Sequence, residues 1–92
     1  MPQRTVTIAS RVGLHARPAS LFTQAVAESG VAVTITKDGR PPVDASSMLR
    51  VMALGAKHGE EVTLAAEGDG AEPVLDRLVD LLASDLDDEP GS

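Results

Sequence analysis

Hydrophobic residues recur along this chain with two different periods. Across residues 4–9, Val6 and Ile8 alternate with Thr5 and Thr7, the two-residue period of a half-buried strand. From Ala16 to Ser29 the spacing lengthens, and Ala19, Phe22, Ala25 and Val26 fall on one side of a helix. Gly30 then supplies the left-handed conformation that commonly closes a helix. Alternation returns over residues 31–36, with Val31, Val33 and Ile35 on one face and Thr34 and Thr36 on the other.

Asp38-Gly39 provides the positive backbone angles of a tight hairpin. The returning strand contains Pro41-Pro42; proline cannot donate to a ladder, so that strand is expected to be short and at an edge. Ser46 or Ser47 can cap a short helix carrying Met48, Leu49, Val51 and Met52, with Gly55 closing it. Residues 61–66 alternate again around Val62 and Leu64. Asp69-Gly70-Ala71-Glu72 resembles a capping box, and Leu75, Leu78 and Leu82 then mark the buried stripe of a helix reaching to about residue 85. The predicted order is β-α-β-β-α-β-α. That order, with its hairpin, indicates an α/β (α+β) class: a largely antiparallel sheet with helices on one face.

Ninety-two residues suffice for about one small domain, expected to span 1–92 with an acidic tail at 86–92. The net charge is −6, and Asp85, Asp87, Asp88 and Glu89 crowd one end while Arg4, Arg11 and Arg17 mark the other. An acidic chain whose one aromatic is Phe22 is a poor nucleic-acid binder, having neither a basic field nor a stacking platform. Without cysteine there is no disulfide or thiolate zinc site. No apolar run could cross a bilayer, and the first residues lack a secretory signal, so a cytoplasmic location is expected. No metal and no cofactor are expected; His58, in Lys57-His58-Gly59-Glu60, reads as an exposed loop residue without companion ligands.

The chemistry concentrates in Gly13-Leu14-His15-Ala16-Arg17-Pro18-Ala19-Ser20, which joins the first strand to the first helix. If His15 caps that helix, the backbone N–H groups of Ala16 and Arg17 have no intrahelical partner, and with the helix dipole they favour an anion beside the imidazole. Pro18 pre-sets the opening turn, and Arg17 offers a permanently charged planar fork suited to phosphate oxygens. Near neutral pH an imidazole nitrogen is free to attack phosphorus, and its phosphoramidate stays reactive enough to pass the group on. With no second acid and no nucleotide loop, such a site can hold a phosphoryl group but not generate one.

This eight-residue segment resembles the phosphorylation signature of the HPr family, the phosphocarriers of the sugar phosphotransferase system. Ser47-Met48-Leu49-Arg50-Val51-Met52-Ala53-Leu54-Gly55 resembles the family's second characteristic segment. The resemblance implies an open-faced sandwich, a four-stranded antiparallel sheet covered on one side by three helices. It implies that His15 receives phosphate from phosphoenolpyruvate-charged enzyme I through Nδ1, that Arg17 neutralises it, and that IIA proteins receive it. By the same resemblance Met48 and Leu49 match partner contacts, and the candidate docking patch comprises Ser20, Met48, Leu49, Val51 and Met52. The family's regulatory serine falls on Ser47 rather than Ser46, and relatives that use it have a dedicated HPr kinase/phosphorylase. Arg50 stands where many relatives carry glycine, and Pro41-Pro42 is a second departure.

Three readings follow. The first is a monomeric phosphocarrier that is transiently phosphorylated rather than a stand-alone catalyst. The second is a regulatory HPr-like module acting through Ser47, or a carrier in a nitrogen-type branch of the system. The third is a small domain whose His15 turn captures an anion non-covalently.

Overall fold

Strands and helices follow one another in the order the periodicity predicts: β1 (Gln3–Thr7), α1 (Ala16–Ser29), β2 (Ala32–Thr36), β3 (Val43–Asp44), α2 (Met48–Leu54), β4 (Glu61–Glu67) and α3 (Ala71–Ala83). The structure is a computed structural model that describes residues 2–9, 13–14, 16–37 and 39–83. His15, Arg11, Asp38 and the acidic segment 84–92 lie outside the described residues. The sheet order is β1-β4-β2-β3, and every neighbouring pair is antiparallel.

Alternation along each strand divides the sheet into two faces. Val6, Val33, Ile35, Val62, Leu64 and Ala66 are buried beneath the helices. Thr5, Thr7, Thr34, Thr36 and Thr63 point the other way, which makes the uncovered face polar yet strand-compatible. Phe22 of α1, Val51 of α2, and Leu75 and Leu78 of α3 meet the inner face in one core. Each such side chain, fully buried, contributes about 1.5–3 kcal/mol of transfer free energy.

Element ends shift where local hydrogen bonds compete with the ladder. Ile8 keeps the β1–β4 register by donating its N–H to the Glu60 carbonyl, but Ala9 donates to Leu82 at the end of α3. The strand therefore stops short of residue 9. Val31 is not in β2 because its N–H is taken by the Ser29 hydroxyl at 3.1 Å, while that hydroxyl donates to the Val26 carbonyl. The side chain of Val31 still packs against the core. As expected from Pro41-Pro42, β3 is two residues long and at the edge.

The capping box at the start of α3 does not form. Gly70, not Asp69, occupies the cap position, since its carbonyl accepts the first helical bond from Val74. Glu72 turns instead toward Arg4, which also bonds Asp76 at 3.1 Å, so β1 is tied to α3 across the surface. The sequence signal was a local one, and a charge brought in from β1 outcompeted it.

Candidate functional site

The helix that predicts an anion site starts where the motif requires. α1 opens at Ala16, directly after position 15, and its first turn carries no acidic residue that would offset the dipole. Ala16 and Arg17 are exposed, whereas Pro18 and Ala19 are buried against the core. The motif thus anchors itself through its third and fourth helical residues and leaves its opening residues toward solvent. Ser20 is exposed one turn further on.

On the other side of position 15, the chain is fixed by its backbone. Leu14 donates its N–H to the Ala56 carbonyl at 2.9 Å and buries its side chain. Gly13 has φ +73°, and a Cβ there would come within 2.4 Å of the Ala56 carbonyl oxygen. The approach to His15 is therefore pinned to the segment after α2, a contact that the one-dimensional pattern does not reveal.

That segment is in turn held by a buried cation. Lys37, at the end of β2, points inward and donates from Nζ to the Gly55 carbonyl at 3.0 Å; it also pairs with Glu60 Oε1 at 2.9 Å. Glu60 Oε1 accepts the Lys57 N–H at 2.7 Å, closing the 57–60 turn. Arg40 Nη1 reaches the Leu54 carbonyl at 3.2 Å. Two cations thus cap the carbonyl end of α2, where the helix dipole favours positive charge. Sequence reading passed over Lys37; its place at the end of an alternating strand, on the parity of Val33 and Ile35, was the available signal.

The Lys37 ammonium, and then the Lys57 N–H, hold the Glu60 carboxyl below its usual value. A depressed carboxylate stabilises the fold above its unfolded pKa and loses that contribution as pH falls through the folded value. Glu60→Gln is therefore expected to be less stable than the parent above about pH 5, with the two denaturation curves converging on acidification. A stability difference independent of pH would mean that the carboxylate charge is not what Glu60 contributes.

At α2 the structure chooses between the two serines. Ser47 is the cap: its hydroxyl accepts the Arg50 N–H at 3.3 Å, and its φ and ψ of −97° and 112° are those of an extended residue. Ser46 instead gives both its N–H and its hydroxyl to Asp44 Oδ1, which holds that carboxyl below its usual range. Gly55 closes the helix in the left-handed conformation at φ 69°.

The five patch residues do not share one surface. Val51 is fully buried and supports the helix from within, so direct contact with a partner is closed to it. Met48 and Met52 are half-buried; the Met48 sulfur lies 3.9 Å from the Thr23 hydroxyl of α1, whose other bond goes to the Ser20 carbonyl. Leu49 is 80% exposed. Met48 and Ser20 thus belong to the α1 side, while Leu49 and Arg50 belong to a different side beside residues 40–43. His58 is exposed, and no cluster able to hold a metal occurs among the described residues. No described helix is long and apolar enough to cross a membrane.

Comparison with known proteins agrees with this architecture. The family described as "PTS HPr component phosphorylation site" matches residues 2–84. The phosphocarrier protein HPr of Streptomyces coelicolor is 49% identical over 90 residues, covering 98% of this chain and 97% of the relative. That of Haloferax volcanii is 46% identical over 83 residues, covering 89% and 93%. The crystal structure of HPr-C-His from Thermoanaerobacter tengcongensis superposes with a TM-score of 0.89 at 39% identity, covering 97% of this chain and 99% of that one.

Proposed function

This chain belongs to the HPr family of phosphocarriers of the phosphotransferase system, and on that premise we propose that it receives a phosphoryl group on His15 from enzyme I and delivers it to IIA proteins. The observation that carries the proposal is the family match over residues 2–84, which includes the whole Gly13–Ser20 motif at the head of α1. In the charging step an imidazole nitrogen attacks the phosphorus carried by enzyme I; an N–P bond forms as the bond to the donor atom breaks, and that donor atom leaves with its electron pair. Discharge reverses these roles toward the acceptor. The work of the site is positioning and charge stabilisation.

In this proposal that work falls to Ala16 and Arg17. The Ala16 N–H, at the dipole-positive end of α1, and the Arg17 guanidinium stabilise the phosphoryl oxygens. Both residues are exposed, which suits a group that must be handed between proteins. Ser20 and Met48 on the α1 side, with Leu49 and Met52 of α2, form the docking face, and the carrier acts as a cytoplasmic monomer that presents this face to successive partners.

The test is intact-mass spectrometry after incubation with phosphoenolpyruvate and a bacterial enzyme I. One added phosphoryl group that is lost in acid supports the carrier reading. No gain, while an authentic carrier is charged in parallel, would favour the regulatory module. Arg17→Ala is expected to slow charging on the order of 10- to 100-fold, less than for a donor in a dry site because Arg17 is exposed. Its denaturation midpoint should stay near the parent's. An unchanged rate would remove Arg17 from the mechanism.

A further inference from the structure

The connection that leads from β1 to His15 begins at Ile8 and ends at Leu14, and both ends are tied to one short segment, residues 56–60. Ile8 donates its N–H to the Glu60 carbonyl and accepts the Gly59 N–H, each at 2.9 Å. Leu14 donates to the Ala56 carbonyl, also at 2.9 Å. Residues 56–60 lie in neither a helix nor a strand, so no ladder gives them their shape. A carboxylate and an ammonium do. Glu60 Oε1 accepts the Lys57 N–H at 2.7 Å and pairs with Lys37 Nζ at 2.9 Å, while the same Nζ donates to the Gly55 carbonyl at 3.0 Å. Lys37 thereby gathers the residue before the segment and the side chain of its last residue at one point. Its side chain is 9% exposed, against 34% for Glu60, so the ammonium is turned to protein acceptors rather than to water.

We propose that Lys37, paired with Glu60, is a positioning residue for phosphoryl transfer at His15: the pair fixes residues 56–60, and these fix the approach to the acceptor. This role rests on the carrier reading given above. Burial favours it over a purely stabilising one. Withdrawing an ammonium from water offsets much of what its pairing returns, so an apolar residue at position 37, on the parity of Val33 and Ile35, would hold the fold about as well. Glu60, left alone by that change, is exposed enough to stay hydrated. An apolar side chain makes neither bond, however, and the 55–60 backbone loses its common anchor. What the ion pair adds is geometry, and a misplacement of about 1 Å is enough to slow a positioned reaction on the order of 100-fold. Because Lys37 is buried, it offers nothing to a docking protein, and its loss should act on the rate of transfer rather than on partner affinity.

The experiment is single-turnover charging of the full chain by phosphoenolpyruvate-charged enzyme I, well below each variant's midpoint, with amide hydrogen exchange followed by NMR. Lys37→Met is expected to lower the limiting rate about tenfold, with the half-saturating concentration of enzyme I near the parent's. Glu60→Gln keeps an acceptor for the Lys57 N–H but removes the counter-charge of Lys37, and should slow charging too. The double variant should be no slower than the slower single one, because groups that act as a unit are lost once. Exchange of the Leu14 amide should quicken by a larger factor than that of the Phe22 amide; a role in stability alone would quicken both alike. Charging at the parent's rate by both single variants would overturn the proposal. So would additive slowing in the double variant, a raised half-saturation with an unchanged limiting rate, or equal quickening of the two amides. If one single variant does not fold, the other decides by the same rate and exchange criteria; failure of both to fold would make the pair structural and overturn the proposal. A parent that takes up no phosphoryl group while an authentic carrier is charged in parallel would instead remove the carrier reading, and the positioning role with it.

Discussion

His15→Ala is expected to take up no phosphoryl group from phosphorylated enzyme I while unfolding close to the parent's midpoint. The chain has two histidines, which makes the experiment unusually clean. His58 is exposed in the 57–60 turn, held by the Glu60 N–H to the Lys57 carbonyl and the Gly59 N–H to Ile8. No helix begins there, so no N-terminal dipole and no set of unpaired backbone donors faces that imidazole. His58→Ala should accordingly charge as fully as the parent. Uptake by His15→Ala, retained in acid-labile form and lost in the double variant, would move the acceptor to His58. The stability side of the prediction rests on the core of the described residues, in which Phe22, Ile35, Leu64 and Leu75 pack together. Losing a helix cap costs about 0.5–2 kcal/mol at most, well short of the loss that removes a small domain's fold. Complete loss of charging together with a near-native midpoint would therefore locate the chemistry rather than report unfolding.

The fold could be read because its periodicities are local. Val6 and Ile8, or Phe22 and Val26, announce their buried face through spacing alone, and Pro41-Pro42 announces an edge through a missing donor. What could not be read was decided between distant segments. Glu72 had the spacing of a cap partner but was drawn to Arg4, 68 residues away in sequence. Ser46 and Ser47 were equivalent as candidate caps until Asp44 claimed Ser46. Val51 had the same apolar character as Met52; only the packing of α2 on the sheet shows that one is interior and the other half-exposed.

The site was legible in a different sense. The residues at the head of α1 carry their chemistry in their types and order, so Ala16 opening the helix and Pro18 standing in its first turn follow from the string, whereas the burial of Pro18 does not. The support behind them does not. Lys37, Gly55, Ala56 and Glu60 are spread over three structural segments, and no motif joins them. Among the described residues, their relation to the motif runs through the backbone hydrogen bond from the Leu14 N–H to the Ala56 carbonyl.

Gly13 is where that support can be broken most sharply. Gly13→Ala places a methyl group 2.4 Å from the Ala56 oxygen and 2.9 Å from the Lys57 Cα, both backbone atoms that cannot swing aside as a side chain would. It also forces alanine to φ +73°, at about 1–2 kcal/mol. Relief of the clash must separate the two segments, which costs the adjacent Leu14–Ala56 hydrogen bond and loosens the buried Leu14 side chain. The expected destabilisation is about 3–4 kcal/mol, a lowering of the melting temperature of at least about 12 °C for a domain of this size. Gly39→Ala is the matched control, because Gly39 has the same φ of +73° and open space around its Cβ position. It should lose only the backbone component, about 1–2 kcal/mol, and charge normally. The difference between the two variants isolates the close approach, since the dihedral strain is common to both. If that difference is large and Gly13→Ala, kept below its melting temperature, also charges slowly, then the contact with Ala56 positions the motif. If the two variants are equally stable, the chain at Gly13 yields without cost, and the segment after α2 does not hold the site in place.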